Sequence, residues 1–132
     1  MSCEVLLSAE FWTYIDGQLR IYMSISKRIT VRVALVGACE VGKTSILLRA
    51  MGKQVPEKYV ATIGIDSGIY RCVQEDQYVT LKMWDCSGDK RFGAIIPRFL
   101  RDSKFVLFCF DLSRPETFES VKEYVQLVDS IM

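Results

Sequence analysis

Lys43 and Thr44 close the octapeptide Gly37-Ala38-Cys39-Glu40-Val41-Gly42-Lys43-Thr44, which fills every fixed position of the G-x-x-x-x-G-K-[ST] pattern. Each residue type there has a task in phosphate chemistry. Glycines let successive backbone N–H groups turn inward as a nest for oxyanions. The Lys43 ammonium reaches the outer phosphates, and the Thr44 hydroxyl faces Mg²⁺. A second group follows in Trp84-Asp85-Cys86-Ser87-Gly88. Here Asp85 can meet the metal through a water, and the Gly88 N–H can approach a terminal phosphate. Thr62, in Tyr59-Val60-Ala61-Thr62-Ile63-Gly64-Ile65-Asp66, supplies a hydroxyl that could cap the same ion. By itself D-x-x-G is a common strand-end turn and Thr62 an ordinary loop residue. Their force comes from standing downstream of a complete phosphate loop.

Such a loop needs a strand before it and a helix after it, and the sequence provides both. Residues 31–36 are apolar and β-branched, of strand length. Residues 45–51 have helix-forming composition and stop at Gly52. Loop backbone, including Val41, Gly42 and Ser45, therefore meets a positive helix terminus suited to anions. Residues 67–73 and 78–84 read as two strands whose short link makes them antiparallel neighbours. Residues 53–66 form a connection, and residues 90–102 a loop with a short helix. Residues 104–110 are nearly all apolar, as in a parallel strand buried on both faces, although with no further strand beside it 105–110 would be an edge strand with exposed aromatic side chains. Pro115 opens a last helix, with Phe118, Val121, Val125 and Val128 at helical spacing. Parallel strands joined by helices, with one antiparallel edge strand, predict a three-layer, doubly wound α/β sheet of the P-loop NTPase class.

The chain has 132 residues, room for one domain. A net charge of +1 makes no electrostatic case for nucleic acid or an acidic membrane. It has no histidine, which removes Ser-His and Cys-His catalysis and the common His-based zinc sites. The five cysteines are scattered, without C-x-x-C, which favours a reducing, cytoplasmic setting over a disulfide framework. Cys109 reads as a small core hydrophobe, and Cys39, at a helix N-terminus, as a thiol open to activation. No apolar stretch is long enough to span a bilayer, and no lipidation pattern stands at either end, so the sequence offers no direct membrane anchor. Residues 1–29 form an N-terminal extension with two readings: a hairpin over 11–23 around Asp16-Gly17, or a spurious stretch upstream of Met23.

Taken together, these motifs resemble the Ras superfamily of small GTPases, the Rab branch most closely. Residues 37–44 match its phosphate loop, 59–66 its first switch, 84–92 its second switch, and 110–113 the strand and turn after it. The resemblance spans about residues 30–132, a partial small GTPase domain lacking its C-terminal part. It implies a GTP-binding switch with GTP/GDP and Mg²⁺, acting in vesicle traffic or signalling. Effector and regulator proteins would read the two switch loops, peripherally to endomembranes.

Three departures bear on that expectation. Asp89 stands where the family places a water-orienting glutamine. An anion there faces phosphates of the same sign unless Lys90 or Arg91 offsets it, so slow hydrolysis is expected. Cys39 and Glu40 occupy loop positions the family fills with small residues. Either Cys39 crowds an activating protein's arginine and Glu40 weakens phosphate binding, or both side chains face outward. Finally, the family's N-K-x-D and S-A-K segments, which grip guanine, do not occur, so guanine preference rests on the resemblance. A non-catalytic interaction module, a P-loop ATPase or kinase, and an incomplete gene product with weak nucleotide binding stand as alternatives.

Overall fold

The β-branched run at the phosphate loop's entrance forms the middle of the sheet. The computed structural model describes residues 28–74 and 77–132, and the expected 11–23 hairpin lies outside them. Strand β1 (Arg28–Gly37) leads into the loop, and α1 (Lys43–Ala50) leaves it. Next come β2 (Ile65–Gln74), β3 (Gln77–Cys86), a 3₁₀ helix (Lys90–Ile95), α2 (Ile96–Arg101), β4 (Phe105–Cys109) and α3 (Pro115–Ile131). The sheet order is β2-β3-β1-β4, with β1 parallel to β3 and β4, and β2 antiparallel to β3. The mostly parallel, doubly wound sheet with one antiparallel edge strand is therefore present.

Period-two alternation along β1 divides the core between the two faces. Val31, Val33 and Leu35 pack with Leu81, Met83, Ile46 and Leu47 beneath α1. Ala34 and Val36 point the other way, toward Ile96 and Leu100 of α2 and Tyr124, Leu127, Val128 and Ile131 of α3. Burying a side chain such as Leu35 or Leu47 contributes about 1.5–3 kcal/mol. That burial holds β1 and α1 firmly on either side of the loop.

Two sequence expectations need correction. The side chains of β4 are half-buried along its length, because β4 is an edge strand among the described residues and pairs only with β1. Cys109 at its end is half-buried accordingly. On α3, Phe118 and Val125 are 52% and 38% exposed. Val121 and Val128 of the expected stripe are half-buried, on a face shared with buried Thr117 and half-buried Tyr124, Leu127 and Ile131. Helical periodicity alone does not fix the buried face, and tertiary contacts do. The Tyr124 hydroxyl reaches the Gly37 carbonyl at 3.2 Å, and Phe118 stacks edge-on against Phe110.

Candidate phosphate and magnesium site

The parallel register of β1 and β3 sets the site. Leu35 lies beside Asp85, so both strands deliver their exits to one end of the sheet. There β1 becomes the loop, with Gly37 at φ 151° and Gly42 at φ 95°. A Cβ on Gly37 would lie 2.1 Å from the Cys109 carbonyl oxygen, so glycine is required for steric as well as torsional reasons. Glu40 is the one described non-glycine residue with positive φ, at 60°. That conformation costs an L-residue about 1–2 kcal/mol, and glycine much less.

Lys43 is 6% exposed, and its Nζ donates to the carbonyls of Gly37 at 2.9 Å and Ala38 at 2.5 Å. The side chain folds back over its own loop, with its ammonium held by those two carbonyls. Burial pulls its pKa below the usual lysine value, with the Asp85 carboxylate opposing that shift.

Three oxygens converge beside it. The Thr44 hydroxyl donates to Asp85 Oδ2 and lies 2.8 Å from the Thr62 hydroxyl, which is itself 3.3 Å from Asp85 Oδ2. Asp85 is fully buried, and its Oδ1 has no hydrogen-bond partner. Burial raises its pKa above the ordinary aspartate value, although Thr44, Lys43 and Thr62 each pull the other way. A buried carboxylate oxygen without a donor, grouped with two hydroxyls, is a hard-oxygen set suited to a small divalent cation. These residues fit Mg²⁺.

Gly88 explains how the second motif joins the first. A Cβ there would fall 2.3 Å from the Cys39 nitrogen and 2.4 Å from the Ala38 carbonyl carbon, so only glycine lets the strand β3 exit rest on the loop. Ser87 N–H donates to the Gly64 carbonyl at 2.9 Å, tying that exit to the segment that carries Thr62. Lys43, Thr44, Thr62, Asp85 and Gly88 thus come together from separate parts of the chain.

Asp89 lies just beyond, engaged with its own helix. Its Oδ1 accepts from the Arg91 N–H at 2.9 Å, and its Oδ2 from the Arg91 guanidinium at 2.6 Å. Those hydrogen bonds hold its pKa below the ordinary value. Arg91 is the charge that offsets Asp89, while Lys90 pairs with Glu123 at 3.3 Å. Cys39 and Glu40 are both exposed, and Val41 is buried beneath the loop. Val60 and Ile63 in the Thr62 segment are 69% and 81% exposed, an apolar surface beside the site.

Sequence reasoning missed two contributors. Arg114 Nη2 donates to the carbonyls of Cys39 at 3.3 Å and Glu40 at 2.8 Å, and Tyr124 donates to Gly37. Both lie on or next to α3, more than seventy positions from the loop, where no local pattern announces them.

Comparison with known proteins agrees with the geometry. The Ras family model matches residues 32–132. The chain is 30% identical over 102 residues to the Ras-related protein Rab-7a of Dictyostelium discoideum, covering 77% of this chain and 50% of that protein. It is 31% identical over 98 residues to the Ras-related protein RABD2a of Arabidopsis thaliana, covering 74% of this chain and 48% of that protein. The chain spans about half the length of these curated relatives. With a phosphate loop, a buried aspartate and a close-packed glycine at two adjacent strand ends, and this match over most of its length, the chain belongs to the Ras family and is Rab-like.

Proposed function

We propose that this chain is the nucleotide-binding part of a small GTPase switch, binding GTP or GDP with Mg²⁺. The observation that carries it is the meeting of the Thr44 and Thr62 hydroxyls at Asp85 Oδ2, near Lys43, with Asp85 Oδ1 left unpartnered. The inward N–H groups of residues 39–45 would hold the phosphates, with Gly37 and Gly42 shaping the loop and Lys43 neutralising charge. Thr44 and Thr62 would ligate Mg²⁺, with Asp85 behind a water, and Gly88 would present its N–H to a terminal phosphate. When bound, the cation supplies neutralisation of phosphate charge. Guanine as the base follows from family membership. Effectors and regulators would read the exposed segment around Val60 and Ile63 and the second switch after Gly88, in vesicle traffic or signalling. The protein would work in the cytoplasm, peripherally to endomembranes.

Asp89 makes hydrolysis slow in this reading. Its carboxylate has no donor to offer a water, and its oxygens already accept from the Arg91 N–H and guanidinium. The same observation favours a second reading, an interaction module that keeps the switch surface and does not hydrolyse. Titration of the chain with fluorescent GDP in Mg²⁺, with unlabelled GTP and ATP as competitors, tests the first claim. Saturable binding displaced by GTP and not ATP is expected, and a flat titration overturns it. Single-turnover hydrolysis then separates a slow switch from a module.

A further inference from the structure

A nest that turns its N–H groups inward turns the carbonyls of the same peptides outward, and those carbonyls need donors of their own. Four consecutive loop carbonyls have them. Gly37 receives Lys43 and Tyr124, Ala38 receives Lys43, and Cys39 and Glu40 share Arg114. The carbonyl of Cys39 belongs to the peptide that carries the Glu40 N–H, and the carbonyl of Glu40 to the peptide that carries the Val41 N–H. A planar trans peptide fixes the N–H opposite its C=O. Holding those two oxygens therefore aims those two N–H groups.

Arg114 suits this task. Its Nε is anchored by Asp111 Oδ2 at 3.1 Å, so the guanidinium is oriented before it touches the loop. Asp111 is itself fixed by the Ser113 N–H and hydroxyl at 2.9 and 2.7 Å. Arg114 Nη1 also lies 4.0 Å from Glu40 Oε2. Glu40 places a carboxylate on a loop shaped for anions, and it does so at a positive φ that glycine would adopt more readily. One cation on the outer side of the loop thus offsets the carboxylate and braces the strained apex.

We propose that Arg114 is a positioning residue for nucleotide binding, which aims the Glu40 and Val41 N–H groups at the phosphates and neutralises Glu40. The assignment rests on the nucleotide-binding reading above and adds to it a brace from the turn between β4 and α3.

The test uses the whole chain and two independent measurements. Fluorescent GDP affinity and release are measured in Mg²⁺ for wild type, Arg114→Ala, Arg114→Lys, Glu40→Gln and the Glu40→Gln/Arg114→Ala pair. Arg114→Ala should weaken binding about tenfold, and Arg114→Lys less, since an ammonium keeps the charge but lacks the fork that spans two carbonyls. Glu40→Gln should recover at least roughly threefold in the Arg114→Ala background, with the larger recovery at low salt. A merely structural arginine predicts neither the recovery nor its salt dependence. Amide hydrogen exchange, read without nucleotide, should accelerate at residues 39–42 in Arg114→Ala and stay unchanged in β1 and α1. Arg114→Ala affinity within about twofold of wild type, no recovery in the double variant, or unchanged exchange at 39–42 overturns the proposal. If wild type binds no nucleotide yet exchange at 39–42 responds, the brace stands and the nucleotide reading falls.

Discussion

Replacing Asp85 by asparagine separates a residue kept for ligand binding from one kept for stability. The carboxylate is fully buried, and Oδ1 accepts no hydrogen bond. An unsatisfied buried polar atom costs about 1–3 kcal/mol, and more when charged. Against this, Oδ2 takes the Thr44 hydroxyl and a long contact from Thr62, and Lys43 lies near enough to favour the charged form. The balance decides the sign. Because the Asp85 pKa is raised with all three favourable partners in place, burial disfavours its charged form more than those partners favour it. An asparagine with its oxygen toward the hydroxyls would keep the shape and those contacts and put a neutral NH2 in place of the unpartnered charged oxygen, and Lys43 would keep its two carbonyl acceptors. In magnesium-free buffer without nucleotide, Asp85→Asn should therefore be more stable by about 1 kcal/mol. For a domain of this size that is a rise in melting temperature of about 3–5 °C. In Mg²⁺, the same change should weaken GDP and GTP binding by about 100-fold, because a second-shell metal partner is lost. Differential scanning fluorimetry and nucleotide titration read the two effects. A melting temperature that falls in Asp85→Asn would refute the reasoning, since it would make Asp85 a structural group whose charge the fold uses.

Four further outcomes follow from the same geometry. Gly88→Ala places a methyl group against the backbone of Ala38 and Cys39, about 1–3 kcal/mol of overpacking, so nucleotide affinity should fall while far-ultraviolet circular dichroism is kept. Asp89→Gln supplies an amide donor and removes an anion, and should raise single-turnover hydrolysis by roughly tenfold, an unchanged rate counting against slow turnover by design. Cys39 is exposed, whereas burial pushes the Cys86 and Cys109 thiols up to about 12, so among these three Cys39 should react first with a disulfide reagent at mildly alkaline pH, and bound nucleotide should protect it. Asp111 is held below its ordinary 3.8 by Ser113 and then Arg114; a depressed carboxylate adds stability above that value and loses it as pH falls below, so Asp111→Asn should flatten the acid limb of a melting-temperature profile.

Much of this fold could be read along the chain, because its strands and its loop carry local signals. The apolar, β-branched run over residues 31–36 and the glycines of the loop are one-dimensional patterns with one sensible folding. The hairpin of β2 and β3 was legible for the same reason. Thr44 and Asp85 stand at motif positions and Thr62 gains meaning only beside them, and the fold brings all three to one place. What escaped was decided by contacts distant in sequence. Of the α3 stripe, Val121 and Val128 do face inward, but periodicity alone did not show that Tyr124 joins them while Phe118 and Val125 stay exposed. The half-exposure of β4 agrees with the edge position expected for residues 105–110, and its apolar run alone, which suggests burial on both faces, does not encode it. Asp89 was legible as an anion in an unusual place with Lys90 or Arg91 to offset it, and the 3₁₀ turn decides that Arg91 does so.

The two loops of the site are coupled through the sheet beneath them. Leu35 beside Asp85 places the end of β1 and the end of β3 level, so that Gly37 and Gly88 leave the sheet toward each other. Contact at Gly88 is tight enough that the β3 exit cannot shift toward the loop without displacing Ala38 or Cys39. The same exit holds the Thr62 segment through the Ser87 bond to Gly64. A ligand drawing on the loop N–H groups, on Gly88 and on Thr62 would therefore act on three segments already in mechanical contact. A slip of one residue between β1 and β3 would turn Asp85 to the opposite face and part Gly88 from the loop. The core contacts of Val33, Leu35, Leu81 and Met83 forbid that slip, because each would exchange burial under α1 for the other face. Hydrophobic registration of two parallel strands is thus what gives a phosphate loop its aspartate, and the site inherits its geometry from the core.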